Sequence, residues 1–323
     1  MKIIFAFILL LGALEAYSSQ VQVLSYNLGQ LHKQGVDLVP CTRPRLSPQV
    51  DAIFGKQGLV SLEKPFVLAL QEVWTKRAYG LLKRQAELWN LEMFPLTQRE
   101  ASVTGTVLMT NLPVSEFGFE KFSRNKYLPK GILHASMRLD DGSQLTVADV
   151  HTGYSDSRSF SLEHKTHIND IKRFVHERSF TNEHFVIAGD FNAGADMAFI
   201  KQRYDPAARI WYQTLMPAMM GAGLHEASEG VGPTWDTRNP LVTKPALAIR
   251  AMNGLIYHTW KWEEKTATLD HVFASEGLRT QEAKLVLNER KKLDCPRRDG
   301  GRDLSYLSDH YGILVALETE KGP

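Results

Sequence analysis

The sequence contains only two cysteines, Cys41 and Cys295. Two cysteines this far apart lack the close spacing of a thiolate metal site, which argues against a structural zinc centre. One disulfide in an oxidising compartment and two free, partly buried thiols are both compatible with the sequence.

The sequence also lacks an excess of charge of either sign. It has 38 Lys and Arg residues against 36 Asp and Glu residues, a formal net charge of +2. No overall field therefore favours nucleic acid or an anionic membrane, and any basic binding surface must be local. The 323 residues carry no internal repeat, low-complexity segment or clear linker, so one domain is the economical prediction.

Long apolar runs are absent except at the N-terminus. There, Lys2 precedes an apolar run from Ile3 to Leu11, and Ala16-Tyr17-Ser18 forms a small-x-small cleavage site. This pattern is typical of a secretory signal peptide, and the run is short for a membrane anchor. Residues 1–18 are therefore predicted to be a signal peptide, and residues 19–323 a mature protein that is secreted or periplasmic. A buried N-terminal helix is the less favoured alternative.

Apolar strand patterns alternate with helical patterns along the rest of the chain. Helices are predicted over residues 47–62, with Pro48 in the first turn, over 75–90, with Thr75 as the cap, and over 161–178. The turn Asp140-Asp141-Gly142 predicts a hairpin between the strands ILHASMRL and QLTVADVHT. The segment between the last two strands, ATLDHVFAS and LSDHYGILVALE, is predicted to be a polar and basic connection.

This mixture of hairpins and strand–helix alternation predicts the fold class. It favours an α/β sandwich of two packed sheets flanked by helices over a Rossmann or TIM arrangement.

Polar residues follow the apolar runs at many strand ends. The residues concerned are Asn27, Glu72, His151, Asp190, Asn192, Asp270, Asp309 and His310. Each one alone could be a turn former or a surface residue, but their repetition on separate strands indicates an active site at one sheet edge.

The chemistry of this set suggests a metal-dependent hydrolase. A carboxylate at Glu72 and an amide oxygen at Asn27 suit a hard, octahedral ion such as Mg²⁺. The two histidines with several aspartates suggest attack of an activated water on phosphorus. A zinc site is ranked lower, because the histidines lack the close HExxH spacing.

The motifs SYNLG, LQEVW, DVHT, GDFNAG, LDHVF and LSDHYG resemble, in this order, the endonuclease/exonuclease/phosphatase (DNase I-like) superfamily. The resemblance runs from about residue 20 to 318 and implies one catalytic domain over residues 19–323. It implies a four-layer α/β sandwich, Mg²⁺ dependence and cleavage of a phosphoester bond.

The resemblance also assigns roles to residues of this chain. Asn27, Glu72 and Asp309 would hold the metal, and His310 would be the general base, oriented by Asp270. Asp190 and Asn192 would bind the scissile phosphate or orient water, while His151 would contact the phosphate or protonate the leaving oxygen. One departure is His271, which follows Asp270 where the family more often has Tyr or Arg.

Three features resemble the secreted sphingomyelinase branch of the superfamily. They are Lys130-Gly131 before a strand, the segment TWDTRNPL from Thr234 to Leu241, and Asp303-Leu304-Ser305 close to the SDH motif. Lys130 could reach a substrate phosphate as a point charge. These features favour a phospholipid head group as substrate, with transient membrane-surface contact by a monomer. The aromatic segment IYHTWKW, from Ile256 to Trp262, is a candidate for that contact, although a half-buried strand explains it better.

Two alternatives remain open. The basic segment from Glu289 to Arg302 could track a nucleic-acid backbone, which would suit a secreted endonuclease, or it could be a solvated loop. A non-catalytic binding protein of the same fold is disfavoured, because Glu72, Asp190, Asp270 and His310 are all present.

Overall fold

The structure is a computed structural model. The structure describes residues 18–33, 36–37, 39–125, 128–153, 158–179, 184–194, 206–236, 238–243, 266–291, 293 and 306–320. The predicted signal peptide, except for Ser18, lies outside these residues, as do Cys295 and most of the predicted basic segment. Within the described residues, Cys41 is disulfide-bonded.

Helices and strands alternate along the chain much as the periodicities predict. The strands are β1 (Gln20–Asn27), β2 (His32–Lys33), β3 (Val36–Asp37), β4 (Phe66–Gln71), β5 (Glu92–Phe94), β6 (Val107–Thr110), β7 (Val114–Lys121), β8 (Gly131–Arg138), β9 (Gln144–His151), β10 (His184–Asp190), β11 (Leu224–Glu226), β12 (Trp235–Asp236), β13 (Thr266–Ala267), β14 (Asp270–Ser275), β15 (Leu278–Val286) and β16 (Gly312–Thr319). The helices are α1 (Thr42–Phe54), α2 (Lys76–Trp89), α3 (Gln98–Thr104), α4 (Arg158–Ser179), α5 (Pro206–Gly221) and α6 (Pro240–Thr243).

Two six-stranded mixed sheets carry the fold. Their strand orders are β15-β16-β1-β4-β6-β5 and β11-β14-β10-β9-β8-β7. Each sheet has one parallel pair at its centre, β1 with β4 and β9 with β10, flanked by antiparallel strands. Parallel neighbours end at the same sheet edge, so the carboxyl ends of four central strands define the edge that matters for function.

Three apolar clusters separate four layers. One cluster lies between the sheets and includes Val23, Ala69, Val147 and Ala188. A second packs the first sheet against α1 and α2, and a third packs the other sheet against α4 and α5. The order helices, sheet, sheet, helices confirms the predicted α/β sandwich, because each sheet buries both of its faces.

Two element predictions were wrong. The first helix spans Thr42–Phe54 rather than residues 47–62, so Pro48 lies inside it. Cys41, with a left-handed backbone, precedes the helix and gives no side-chain cap, so the usual start signal was missing. The predicted connection between the last two strands contains strand β15, which pairs with β16 at a sheet edge. The charged side chains of β15 face solvent at this edge, so its sequence lacks the regular apolar–polar alternation that predicts a strand.

Other predictions were confirmed. Thr75 caps α2 by accepting a hydrogen bond from the Ala78 amide, and strands β8 and β9 form the predicted hairpin. Among the described residues, none of the helices is both apolar enough and long enough to cross a bilayer.

Candidate active site

The strand alternation explains why polar residues gather at one edge. Successive side chains on a strand point to opposite faces, so residues two apart share a face. Asn27, His151 and Asp190 lie two residues beyond Ser25, Asp149 and Ala188, all buried, and Asp270 lies two before Val272 of the inter-sheet core. The inter-sheet faces of the two sheets are therefore apolar along most of their length and become polar at the carboxyl ends of β1, β4, β9 and β10, where they form one shared site.

Glu72 and Asn192 reach this site by breaking the alternation. Both have a left-handed backbone, with φ of +57° and +49°. Such a conformation is uncommon for a residue other than glycine, and it clusters at functional sites. The turn at Glu72 directs its carboxylate toward His151, whose Nε2 lies 3.8 Å from Oε1 of Glu72.

Oδ2 of Asp190 is the centre of the site. It accepts a hydrogen bond from Nδ2 of Asn27 at 3.1 Å. The Nε2 atoms of His151 and His310 lie 3.7 and 4.0 Å from the same oxygen. The other carboxylate oxygen of Asp190, Oδ1, accepts a hydrogen bond from the backbone N–H of Asn192 at 2.9 Å. Residues from four distant parts of the chain therefore converge on one carboxylate that is 2% exposed.

His310 and Asp270 form a buried pair. Nδ1 of His310 donates to Oδ2 of Asp270 at 2.9 Å, which leaves Nε2 facing Asp190. One ligand-type atom each of Asp190, Asp270 and His310 lies within 4.8 Å of the others. Because the hydrogen bond already engages two of these groups, we interpret the cluster as a proton-transfer arrangement, a base with its orienting carboxylate.

Lys130 stands on the opposite side of the site. Its Nζ lies 2.9 Å from Nε2 of His151 and donates to the Thr152 carbonyl at 2.5 Å. Nδ2 of Asn192 also approaches that carbonyl, at 3.4 Å. An ammonium, an imidazole and an amide thus face one region, where an anionic oxygen would find several donors.

All nine predicted site residues lie at this one edge. They are Asn27, Glu72, Lys130, His151, Asp190, Asn192, Asp270, Asp309 and His310. Their individual roles stay predictions, but the structure leaves none of the nine outside the cluster.

Burial and crowding of like charges shift the protonation of the carboxylates. Burial first, and then the charge of Asp309, raise the pKa of Glu72 to about 7. Burial likewise raises the pKa of Asp190 to about 6. Carboxyl groups with pKa values this far above the ordinary range indicate a site with little positive charge to balance its acids.

The basic groups are shifted as well. Burial alone would lower the pKa of His310, but Asp270, Asp190 and Asp309 outweigh it and hold that pKa well above its ordinary value. Burial, with Lys130 and His310 adding to it, holds the pKa of His151 well below the ordinary value. The two histidines therefore differ in basicity: the pKa shifts make His310 the stronger base and His151 the weaker one.

The donor set fits a divalent ion on the Glu72 side. Oε2 of Glu72 is buried and has no hydrogen-bond partner among the described residues. Oδ1 of Asn27 accepts the Gly29 amide at 2.9 Å, which orients the side-chain oxygen. A β-carbon on Gly29 would lie 2.4 Å from Oδ1 of Asp309, so the glycine lets that carboxylate approach. Hard oxygen ligands with an unused lone pair suit Mg²⁺.

The sequence reasoning missed a polar clamp beneath this site, formed by Arg45 and Gln49 of α1. Arg45 is fully buried, and its guanidinium donates to the carbonyls of Leu28, Gly29, Pro40 and Leu307. Gln49 donates to the carbonyls of Leu28 and Leu307 at 2.7 Å. The clamp joins the loop after Asn27 to the loop before Asp309 and His310. Two polar residues four apart on the apolar face of a helix were the available signal.

The segment TWDTRNPL also packs against the start of β14 and against the Ser308–His310 turn. Oγ1 of Thr234 accepts the amides of Leu269 and Asp270, and Nδ2 of Asn239 donates to the Ser308 carbonyl at 2.7 Å. The segment thereby supports Asp270 and the SDH turn. Asp303-Leu304-Ser305 and the aromatic segment from Ile256 to Trp262 lie outside the described residues.

Solved structures of similar fold were compared with the chain. TDP2 from Caenorhabditis elegans superposes with a TM-score of 0.60 at 15% identity, covering 93% of this chain and 74% of that one. TDP2 from D. rerio, complexed with a single-strand DNA product, gives 0.57 at 15% identity, covering 93% and 100%. Beta toxin from Staphylococcus aureus gives 0.58 at 17% identity, covering 91% and 98%. These likenesses establish the DNase I-like fold.

The sequence was also compared with curated proteins and with family profiles. No curated protein matches it. The profile of the Endonuclease/Exonuclease/phosphatase family matches residues 43–310, from the first turn of α1 to His310, and so includes the whole second sheet but not β1 and β16 of the first. Members of this family are generally phosphoester hydrolases. The chain belongs to the Endonuclease/Exonuclease/phosphatase family.

Proposed function

We propose that this protein is an exported, Mg²⁺-dependent phosphodiesterase that cleaves its substrate by attack of an activated water. The observation that carries the proposal is the convergence on Oδ2 of Asp190. Within 4.0 Å of it lie an amide donor, Asn27, and two histidines whose pKa values are shifted in opposite directions. Such a set can take a proton from water on one side and bind a phosphate oxygen on the other.

His310 would be the general base. Its Nδ1–H is held by Asp270, so the ring is fixed with Nε2 directed into the site. Asp270 stabilises the imidazolium that forms when Nε2 takes the proton from water. Asp190 lies 4.0 Å from the same nitrogen and would orient that water.

Lys130, His151 and Asn192 would bind the phosphate. The ammonium of Lys130 makes two hydrogen bonds and has a third N–H for a substrate oxygen. The pKa of His151 is held low and its Nε2 accepts from that ammonium, so His151 would hold Lys130 at the phosphate rather than protonate the leaving oxygen. The side-chain amide of Asn192 adds a neutral donor.

Glu72, Asn27 and Asp309 would hold the divalent ion. When bound, Mg²⁺ would neutralise charge that develops on the phosphate oxygens. Glu72 contributes a carboxylate whose Oε2 is free of hydrogen bonds among the described residues. Asn27 contributes an oriented amide oxygen, and Gly29 lets Asp309 approach.

A phospholipid head group, as in sphingomyelin, is the favoured substrate. The support is the position of Lys130 beside His151 and the contact of Thr234 and Asn239 with the start of β14 and the Ser308–His310 turn, two of the sphingomyelinase-like features. DNA is the second candidate, because a similar fold binds a single-strand DNA product in the D. rerio TDP2 complex. The N-terminal pattern supports export, which suits an external lipid or nucleic-acid substrate.

The test is a parallel assay of the purified mature protein on sphingomyelin vesicles, plasmid DNA, inositol phosphates and bis-p-nitrophenyl phosphate, with Mg²⁺ and with EDTA. We expect phosphocholine release that EDTA abolishes. Plasmid nicking without phosphocholine release would rule out the lipid substrate. Inactivity on all four substrates would rule out the proposed phosphodiesterase activity.

A pair of variants separates catalysis from folding in that assay. His310→Ala removes the base, and we expect a loss of roughly 10²- to 10⁴-fold in kcat. His176→Ala, at an exposed position of α4, should keep full activity.

A further inference from the structure

His271 is a buried histidine whose two ring nitrogens both face acceptors. It is 1% exposed. Nδ1 lies 2.6 Å from Oε1 of Glu226, and Nε2 lies 2.6 Å from the carbonyl oxygen of Ala193. A carboxylate and a carbonyl can only accept hydrogen bonds, so both ring nitrogens must donate. Only the imidazolium form carries two N–H groups.

The surroundings of the ring suit a positive charge. Glu226 of β11 also accepts the Tyr212 hydroxyl of α5 at 2.8 Å, which fixes the carboxylate. The other charged group that acts on the ring is Asp270, which precedes His271 on β14. Both carboxylates, Glu226 and Asp270, favour the protonated ring.

The pKa directions agree with this geometry. Burial would lower the pKa of His271, but the hydrogen bond and charge of Glu226 outweigh it and raise that pKa above the ordinary value. Burial would raise the pKa of Glu226, but the hydrogen bond from His271 holds it below the ordinary value.

The position of His271 connects two parts of the site. Its main chain follows Asp270, which orients His310. Its side chain donates to the carbonyl of Ala193, directly after Asn192, which has a left-handed backbone. The Asn192 amide in turn donates to Oδ1 of Asp190. One buried cation therefore ties the Asp190–Asn192 turn to the strand that carries Asp270.

We infer that His271 is a positioning residue that acts as an imidazolium at neutral pH, fixing the Asp190–Asn192 turn through the Ala193 carbonyl. As an effect on catalysis, this inference rests on the proposed phosphodiesterase function. Loss of the proton would place a lone pair against Glu226 or against Ala193, and the turn would lose its anchor. Activity should therefore fall as the pH rises through the pKa of His271.

Nuclear magnetic resonance tests the protonation without any assay of activity. In protein with ¹⁵N-labelled histidine, both ring nitrogens of His271 should carry protons at pH 7.5. The amide resonances of Asn192 and Ala193 should move with the same midpoint as the ring when the pH is raised. A ring with a single N–H at pH 7.5 would overturn the inference.

The pH dependence of kcat tests the consequence for catalysis. Glu226→Gln keeps the size and an acceptor oxygen but removes the charge, so the alkaline limb of kcat should shift down by at least one pH unit. Glu229→Gln, an exposed glutamate three residues along, should leave that limb in place. Coincident alkaline limbs in wild type and Glu226→Gln would refute the positioning role.

A second variant covers the case in which Glu226→Gln does not fold. His271→Arg keeps a cation with several donors that does not titrate below pH 12, so the His271-dependent alkaline limb should disappear. A limb unchanged in His271→Arg counts against the inference. If the wild type cleaves none of the substrates, the proposed function fails, while the ring nitrogens still decide the state of His271.

Discussion

Glu72 lowers the stability of the folded protein in two ways, both of which place its carboxylate in the site. Its backbone has φ of +57°, and its buried Oε2 has no hydrogen-bond partner among the described residues. Left-handed backbone at a non-glycine residue costs of order 1–3 kcal/mol. An unpaired buried carboxylate adds a desolvation cost. Both costs are understandable if a cation completes the site.

Replacement of Glu72 by Gln should therefore raise stability while removing function. The folded pKa of about 7 lies above the unfolded value of 4.5, so the wild type loses stability as the pH rises through this window. At pH 8 without metal, Glu72→Gln should be more stable by roughly 1–3 kcal/mol. Addition of MgCl₂ should raise the Tm of the wild type but not of the variant. Thermal unfolding with EDTA or Mg²⁺ measures both effects.

The exposed Glu87 of α2 supplies the matched control. Glu87→Gln should keep the metal-induced rise in Tm and the stability of the wild type. An equal rise with Mg²⁺ in Glu72→Gln would place the ion elsewhere.

The contact of Lys130 with the substrate phosphate can be tested by a single substitution. Its ammonium contacts His151 and Thr152, and one N–H remains for substrate. A hydrogen bond to a charged group contributes about 1.5–3 kcal/mol, so Lys130→Met should lower kcat/KM roughly 10- to 100-fold. Steady-state kinetics on bis-p-nitrophenyl phosphate measure this loss, and Lys121→Met, at an exposed position of β7, is the control. An unchanged kcat/KM for Lys130→Met would remove the lysine from the phosphate site.

At the scale of the element, the loop after β1 depends on one glycine. Gly29 has φ of +58°, and a β-carbon there would lie 2.4 Å from Oδ1 of Asp309 and 2.9 Å from Oγ of Ser308. Gly29→Ala should therefore push the Asp309 carboxylate away and strain the loop. We expect stability to fall by about 1–3 kcal/mol and the Mg²⁺ concentration for half-maximal activity to rise.

Gly80 provides the opposite case on a helix. It lies inside α2, and an added β-carbon meets nothing within 4 Å. Gly80→Ala should raise stability by about 0.5–1 kcal/mol, because alanine loses less backbone entropy in a helix than glycine. Urea unfolding and Mg²⁺ titration of both variants test the pair. Equal Mg²⁺ requirements in Gly29→Ala and wild type would show that Asp309 lies outside the metal site.

The element scale also shows what sequence patterns can and cannot predict. The buried strands β4 and β10 and the helix α2 follow from continuous apolar runs, a polar strand end and a threonine cap. The polar residues at the carboxyl ends of the two strands then predicted site residues. Strand β15 could not be predicted in the same way, because at a sheet edge its charged residues obscure the period of two.

Tertiary contacts decide the remaining features of the site. The left-handed turn at Glu72 and the clamp made by Arg45 involve partners far along the chain, such as Leu307. No local pattern encodes a contact over such a separation. The role of His271 likewise emerges only when Glu226 and Ala193 are placed on either side of its ring.

At the scale of the whole molecule, the two sheets meet over a polar group as well as an apolar core. Asp149 lies between them at 0% exposure and accepts a hydrogen bond from Nε2 of Gln71 at 2.7 Å. Its Oδ2, like Oγ of the buried Ser25, has no partner among the described residues. Burial raises the pKa of Asp149 well above its ordinary value, which favours the protonated acid in the folded protein.

The raised pKa of Asp149 predicts a pH-dependent difference in stability. Unfolding releases the proton of Asp149 above its ordinary pKa of about 3.9, so its contribution to stability is largest in acid and declines as the pH rises. Asp149→Asn keeps an acceptor for Gln71 and cannot ionise. At pH 8 with EDTA, the variant should exceed the wild type by roughly 1–3 kcal/mol, and the difference should vanish toward pH 4. Urea unfolding at several pH values measures it.

The exposed Asp140 of the β8–β9 turn provides the control, and Asp140→Asn should show a difference that does not vary with pH. A destabilised Asp149→Asn at pH 8 would mean that the folded protein stabilises the ionised acid. If the variant is instead more stable but slower, the acid serves the site rather than the fold. Gln71 then gives the route, because it binds Asp149 and directly precedes the strained Glu72. The polar contact between the sheets would in that case help to set the position of the Glu72 carboxylate.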